Sequence, residues 1–281
     1  MLPPFKLYRP ESIEEALEIL DENGENVIPI AGGTKLLLLM RWGLSRPSYV
    51  LDIKALKLNR VNYDNGKLTI EAGVTLNDVL ENDVIKRKFP LLYESAKSVA
   101  DNIIRNQATL VGNIVDATPY ATLVPAFLLL NGKAVLSSKK EKRIVEGLDF
   151  FVDVMKTAQR PNELVTALQF DEINGVGKFA EFKGDSLFAV VNVASLKYVK
   201  DDKSIIKVGI MGLTNKPILL DLSDMFMDSR GNIDSFLRKV KDYIYSEFKD
   251  SAISDLRASS EYRLHITSVL VRRTLEVVLH G

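Results

Sequence analysis

The spacing of apolar positions changes along this chain, and each change marks an element. After Ser12, residues Ile13, Ala16, Leu17 and Leu20 share one helical face. Ser12 followed by Glu15 reads as a capping box, and Gly24 as the helix stop. Residues 27–31 form a short buried strand, Gly32-Gly33 a turn, and Thr34 an N-cap for a helix reaching about residue 42. A further strand is predicted at 49–53. Strands at 60–63 and 67–72 flank Asp64-Asn65-Gly66, a hairpin signal because Asn-Gly accepts positive φ. Thr75 with Asp78 caps a short helix. Residues 90–100 predict a helix, and 119–130 a buried one with Pro119 at its start. A strand at 133–137 precedes the polar stretch 138–146, which reads as a solvated turn.

Beyond about residue 160 the pattern changes. The runs 164–170, 178–182, 189–198 and 205–211 predict successive antiparallel strands, and helices at 233–248 and 260–279 close the chain. The order gives a small α/β unit to about 55, a larger α+β unit to about 160, and a sheet-plus-helix unit after it. The class is α+β. Trp42 reads as core packing on an apolar helix, with an interface anchor as the other reading.

At 281 residues, the chain suits two or three compact units. Lys+Arg and Asp+Glu are 37 each, which argues against a general polyanion binder, so no nucleic-acid partner is expected. The absence of cysteine excludes disulfides, thiolate metal sites, cysteine-held iron–sulfur clusters, a cysteine nucleophile and a sulfur-linked flavin. His265 and His280 both fall in the last helix, so neither a His-rich metal site nor a Ser-His-Asp triad is expected. Residues 1–5 lack a signal-peptide pattern, and the apolar runs at 36–40 and 123–130 are too short to span a bilayer. A cytoplasmic protein with no membrane span is the expectation.

Two glycine-centred segments carry the candidate chemistry. The first is Ile30-Ala31-Gly32-Gly33-Thr34-Lys35-Leu36, and the second Ala108-Thr109-Leu110-Val111-Gly112-Asn113-Ile114. Small residues before a helix present unpaired amides and a positive dipole end, and a missing Cβ lets a phosphate approach. Thr34 can add a hydroxyl; Lys35 adds charge or points to water. Neither segment is a Walker A loop or a G-x-G-x-x-G fingerprint. Each alone also reads as an ordinary structural turn. Together they suggest one extended, phosphate-bearing ligand held from both sides. Asp52, Glu71 and Asp116 read as turn or strand-end residues, and no catalytic side chain or metal site is nominated. Chemistry would then reside in a cofactor.

At these residues the chain resembles the FAD-binding medium subunit of molybdenum hydroxylases, the carbon monoxide dehydrogenase and xanthine dehydrogenase group. The likeness is carried by residues 4–10 as the opening, Ala31-Gly32-Gly33-Thr34 as the first pyrophosphate loop and residues 104–114 as the second. It implies an FAD-binding fold of the vanillyl-alcohol-oxidase (PCMH) type in two subdomains, 1–55 and 56–174, and a C-terminal antiparallel sheet-and-helix domain at 175–281. By that resemblance Ile30, Ala31, Gly32, Gly33, Thr34, Lys35 and Leu36, with Thr109, Leu110, Val111, Gly112 and Asn113, wrap the FAD diphosphate and its neighbours. Thr118 stands near the flavin, Thr122 at the ribityl position, Val165 lines the ring by its backbone, and Lys183 is the family's basic residue. The chain departs from the pattern at Val111 in place of glycine, Thr122 and Leu187 in place of aspartate, and Leu219 in place of arginine.

The resemblance implies non-covalent FAD and an electron-transfer role. The molybdenum cofactor is expected only in a large partner subunit and [2Fe-2S] clusters only in a small one, in a dimer of heterotrimers. The cysteine-free sequence fits clusters held elsewhere. Two other readings keep the fold. One is a stand-alone FAD reductase similar to UDP-N-acetylenolpyruvoylglucosamine reductase, with Ser186 or Ser195 as nominal proton donor. The other is a flavin-free assembly scaffold, which the departures would suggest.

Overall fold

The computed structural model describes residues 2–184 and 186–281, and three main sheets follow one another along the chain. The first comprises β1 (Lys6–Tyr8), α1 (Ile13–Asn23), β2 (Val27–Ile30), α2 (Leu36–Arg41) and β3 (Tyr49–Asp52), with β3 between β1 and β2 in parallel register. α1 buries Ala16, Leu17 and Leu20, and Gly24 at φ +52° ends it. Its capping box is half made. Ser12 Oγ accepts from the Glu15 amide at 3.1 Å, but the Glu15 carboxylate receives the Glu11 amide at 2.8 Å.

Thr34 does not cap α2. Gly33 at φ +72° turns the chain through Thr34 and Lys35 first, so Lys35 holds the cap position without a side-chain hydrogen bond. Trp42 is not core: it follows the last residue of α2, past the buried Met40, and is 60% exposed.

The second sheet is built from β4 (Val61–Asp64), β5 (Lys67–Glu71), β6 (Lys133–Ser137), β7 (Lys142–Glu146) and β10 (Leu164–Asp171). Between them run α3 (Leu76–Glu81), α4 (Asp83–Lys88), α5 (Pro90–Ser98), α6 (Asn102–Arg105), α7 (Leu110–Val115), α8 (Val124–Leu129) and the small hairpin β8 (Phe151–Asp153) and β9 (Lys156–Thr157). The order is β4-β5-β10-β6-β7, antiparallel throughout. Asn65 and Gly66, at φ +47° and +78°, make the predicted hairpin. Thr75 and Asp78 cap α3 reciprocally.

Three expectations are corrected here. Strand β10 lies inside this sheet, between β5 and β6, and does not pair with the later strands. Covered on both faces, it is buried along nearly its whole length, with only Gln169 and Asp171 half-buried. The predicted helix at 119–130 shrinks to α8, with Pro125 rather than Pro119 in its first turn. Asn113 Oδ1 takes the Leu123 amide at 3.1 Å and holds the preceding residues in turns. In the stretch 138–146, only 138–141 form the turn; β7 is an edge strand whose exposed charges disguise it.

The third sheet, β11 (Gly175–Phe182), β12 (Val191–Lys200), β13 (Lys203–Met211) and β14 (Ile218–Asp221), is a meander followed by α9 (Ser223–Met227), α10 (Ile233–Phe248) and α11 (Ser260–His280). β14 and α9 were not predicted. One face of the sheet, with Val191, Val193, Ile206 and Val208, packs with Phe236, Val240 and Leu275 of α10 and α11. The other face, with Phe179, Ala194, Leu196 and Met211, joins the core of the first two units. Gly209 permits this: a Cβ there would stand 2.8 Å from the Pro125 carbonyl oxygen of α8. No helix among the described residues is long and apolar enough to cross a membrane.

Candidate functional site

The two glycine segments meet. Ala31, Gly32, Ile53, Gly73, Gln107 and Thr109 border a cleft of about 180 Å³. The first segment reaches it from the end of β2. The second is fixed by a short antiparallel contact in which Leu76 N–H donates to Ala108 O at 2.9 Å and Leu110 N–H to Val74 O at 3.1 Å. At the meeting point Gly32 has no room for a side chain: a Cβ would lie 1.8 Å from the Gln107 carbonyl oxygen. The glycine is therefore required first by the other loop. The backbone amides of Gly32, Gly33, Thr34 and Lys35 donate to no protein group among the described residues. Successive free amides of this kind form a concavity suited to an anion.

The second segment differs from the sequence picture. Gly112 does not offer a bare amide, because Thr109 Oγ1 caps α7 by accepting it at 3.0 Å. Leu110 and Val111 face the core, at 0% and 3% exposure, so the departure at Val111 is a packing residue. Asn113 spends its side-chain oxygen on Leu123.

Lys35 points neither at the cleft nor at water. Its Nζ donates to the Tyr120 hydroxyl, lies 3.5 Å from Asp116 Oδ2, and sits 4.1 Å from the Tyr120 ring centre. Thr118 Oγ1 donates to the same Asp116 oxygen at 2.6 Å. Burial pushes the Asp116 carboxyl above its usual range, against the pull of Lys35 and Thr118. Phe188 and Arg257 reach Tyr120 from the third unit, at 4.9 and 5.2 Å from the ring centre. Tyr120, absent from the sequence candidates, thus joins all three units. Its signal in the chain was an aromatic directly after Thr118-Pro119.

The remaining candidates lie apart from the cleft. Thr122 is buried, with Oγ1 3.5 Å from the Tyr120 carbonyl. Ile30 and Leu36 are half-buried at the two ends of their segment. Val165 is buried at a bulge in the pairing of β10 with β6. Lys183 donates to the Ser98 carbonyl and pairs with Glu181 at 2.7 Å. Ser195 bonds Thr274 of α11 at 2.7 Å, on the face of β12 turned away from the cleft, which removes it as a proton donor.

Two residues before Val165, Glu163 is 1% exposed and held by Arg143 at 2.6 and 2.8 Å and by the Arg160 amide at 2.7 Å. Burial would raise the Glu163 carboxyl, but these partners outweigh it and hold it below the ordinary range. Glu163→Ala should cost about 2–4 kcal/mol, because the Arg143 guanidinium loses its bidentate partner. Urea unfolding measures it; a loss below about 1 kcal/mol would place this pair among ordinary surface bridges.

The three sheets and the paired loops define the class: an α+β protein in which two backbone segments far apart in the chain border one cleft. Residues 3–170 match the family described as FAD binding domain in molybdopterin dehydrogenase. The glyceraldehyde dehydrogenase medium chain of Sulfolobus acidocaldarius is 31% identical over 99% of this chain and 100% of its own length. The carbon monoxide dehydrogenase medium chain of Afipia carboxidovorans is 27% identical over 98% and 97%. Among solved structures, CO dehydrogenase from Oligotropha carboxidovorans aligns with a TM-score of 0.88 at 24% identity, covering 100% of this chain and 99% of that one. Quinoline 2-oxidoreductase from Pseudomonas putida 86 gives 0.89 at 19%, with the same coverage, and both show the fold. This chain belongs to the FAD-binding family of the molybdopterin dehydrogenases. It is an FAD-binding medium subunit of the molybdenum hydroxylase class, with the PCMH-type fold expected from sequence.

Proposed function

We propose that this chain is the electron-passing flavoprotein of a three-subunit molybdenum hydroxylase. Electrons leave a molybdenum cofactor in a large partner, cross iron–sulfur clusters in a small one, and pass through FAD here to an external acceptor. Two such heterotrimers pair, and the complex works in the cytoplasm. FAD, when bound, accepts electrons singly or in pairs and releases them. The chain's own part is to bind and orient. The single observation that carries the reading is the junction of Gly32 with Gln107, beside four free amides at positions 32–35.

In this reading residues 30–36 hold the diphosphate chiefly through backbone. Thr109, Leu110, Val111, Gly112 and Asn113 shape the opposite wall, Thr109 by lining it and the others by fixing α7. Lys35, with Asp116, Thr118 and Tyr120, closes the end next to the third unit, and Thr122, Val165 and Lys183 lie along the ring side. The units divide at 1–55, 56–174 and 175–281, a division supported by each main sheet lying within one range.

The deciding experiment is titration of the flavin-free chain with FAD, followed by isolation of the native complex. Saturation at one FAD per chain, with molybdenum and iron in the co-purifying subunits, is expected. No uptake at millimolar FAD would overturn the reading, as would oxidation of an aldehyde or purine by this chain alone.

A further inference from the structure

Asn192 is fully buried, and neither its Oδ1 nor its Nδ2 has a hydrogen-bond partner among the described residues. An amide left so is costly and calls for an explanation. The register places it. Glu181, Asn192 and Met211 stand directly opposite one another on β11, β12 and β13, so their side chains share one face. Ala194 and Leu196 continue that face, and both pack with the core of the first two units. Val191 and Val193, which alternate with them, lie under α10 and α11. Asn192 therefore faces inward, toward the core of the first two units, each of which carries one glycine segment.

Its two sides differ, with Met211 opposite it on β13 and Glu181 opposite it on β11. On one side Gly212 follows Met211 and abuts the Pro119 carbonyl, where a Cβ would come within 2.8 Å, so the turn leading to Thr122 lies close by. On the other side stands Glu181, whose Oε2 is also buried and unpaired while Oε1 meets Lys183 at 2.7 Å. Lys183 is tied to the Ser98 carbonyl as well, and its ammonium has three N–H donors. The face thus offers an amide donor, an amide acceptor and a cationic donor, and no protein group among the described residues pairs with the first two.

That set complements a cyclic imide, which presents carbonyl, N–H and carbonyl in a row. We propose that Asn192, with Lys183 beside it, hydrogen-bonds the imide edge of the isoalloxazine ring; this rests on the flavin-binding reading above. The adenine end of the cofactor fits less well, because an amino donor has no use for the neighbouring ammonium. The Asn192 amide N–H at an imide oxygen favours the reduced ring, which carries more negative charge, and so raises its reduction potential, while the Lys183 charge is balanced by Glu181 at 2.7 Å.

Asn192→Leu tests this in the full chain, with Asn192→Ala as a second variant should leucine prevent folding. Three quantities are read: the thermal midpoint without flavin, the Kd for FAD by fluorescence titration, and the reduction potential of the bound flavin. The variant should be at least as heat-stable as wild type without flavin, since an unpaired buried amide is gone. It should bind FAD about tenfold more weakly, and its potential should move negative by about 30 mV for each tenfold change in preference between the two redox forms. Unchanged affinity and potential would overturn the assignment, and so would weaker binding with an unchanged potential, which marks a contact elsewhere on the cofactor. If wild type itself takes up no FAD, it is the flavin reading that fails.

Discussion

An alanine at position 32 should abolish FAD retention, raising Kd by about 100-fold or more. Its methyl would lie 1.8 Å from the Gln107 carbonyl oxygen, 2.6 Å from the carbonyl carbon and 3.1 Å from Ala108 Cα. All three are backbone atoms, so no rotamer relieves the clash. The second loop is poorly placed to yield, because Gln107 and Ala108 both donate to the Ile104 carbonyl, at 3.0 and 2.8 Å, and Leu76 donates to Ala108. The first loop must therefore swing out, carrying its free amides with it. Overpacking of this kind costs about 1–3 kcal/mol in stability, or several degrees in Tm for a chain of this size. Gly33→Ala is the graded control. Its φ of +72° makes alanine strained by about 1–2 kcal/mol, but the atoms it would meet are the flexible ends of Ile30 and Leu37. FAD titration should rank wild type above Gly33→Ala, and that above Gly32→Ala. Equal affinity in wild type and Gly32→Ala would show that the loops need not touch to hold the cofactor.

The second large effect lies at Arg263, the largest fully buried side chain among the described residues. Its Nη1 donates to the Val190 carbonyl at 2.6 Å and the Gly212 carbonyl at 2.7 Å. Its Nη2 lies 2.8 Å from Asp255 without hydrogen-bond alignment. Arg263→Leu strands two buried carbonyls and leaves Asp255 with Arg257, at 3.2 Å, as its remaining cationic partner, and should cost about 3–5 kcal/mol. Val190 and Gly212 end the third sheet where it abuts Pro119, so flavin affinity should fall with stability. Stability unchanged within about 1 kcal/mol would mean that water serves these carbonyls equally well.

The same residue sets an acid response. Burial alone would raise the Asp255 carboxyl, yet the Arg263 guanidinium and the Arg257 and Ala258 amides hold it at about 2, against an ordinary 3.8. A carboxyl depressed on folding contributes stability that is complete above its unfolded value and lost as protons bind. Urea midpoints of wild type should therefore fall between pH 4 and pH 2, and Asp255→Asn should flatten that limb. Parallel limbs would detach Asp255 from the acid transition.

How far the chain could be read ahead varies with the range of the forces involved. The hairpin at Asn65-Gly66, the caps at Ser12 and Thr75, and the last two helices were legible because each depends on a few neighbouring residues. Strand β10 was assigned the right residues and the wrong neighbours, since a doubly covered strand loses the alternation that would show which side it serves. β7 hid behind the charges natural to an edge. The helix expected at 119–130 failed because one distant side chain, Asn113, captures an amide that periodicity would have given to the helix. For the site, the two glycine segments were visible as candidates, and the structure brings them together. Lys35 was not placed correctly, because its partner Asp116 is eighty-one positions away.

By itself the sequence determined what was covalent or local: that no cysteine is present for thiolate chemistry, that two small-residue bends could expose amides, and that the chain is α+β. Whether those bends meet, which glycine tolerates no side chain, and that Tyr120 joins the three units were decided only by tertiary packing. The reason is that contact distances between backbones far apart in the chain depend on the whole core at once. Asn192 marks that boundary well: as a letter in a strand it says nothing, and only burial without a partner gives it meaning.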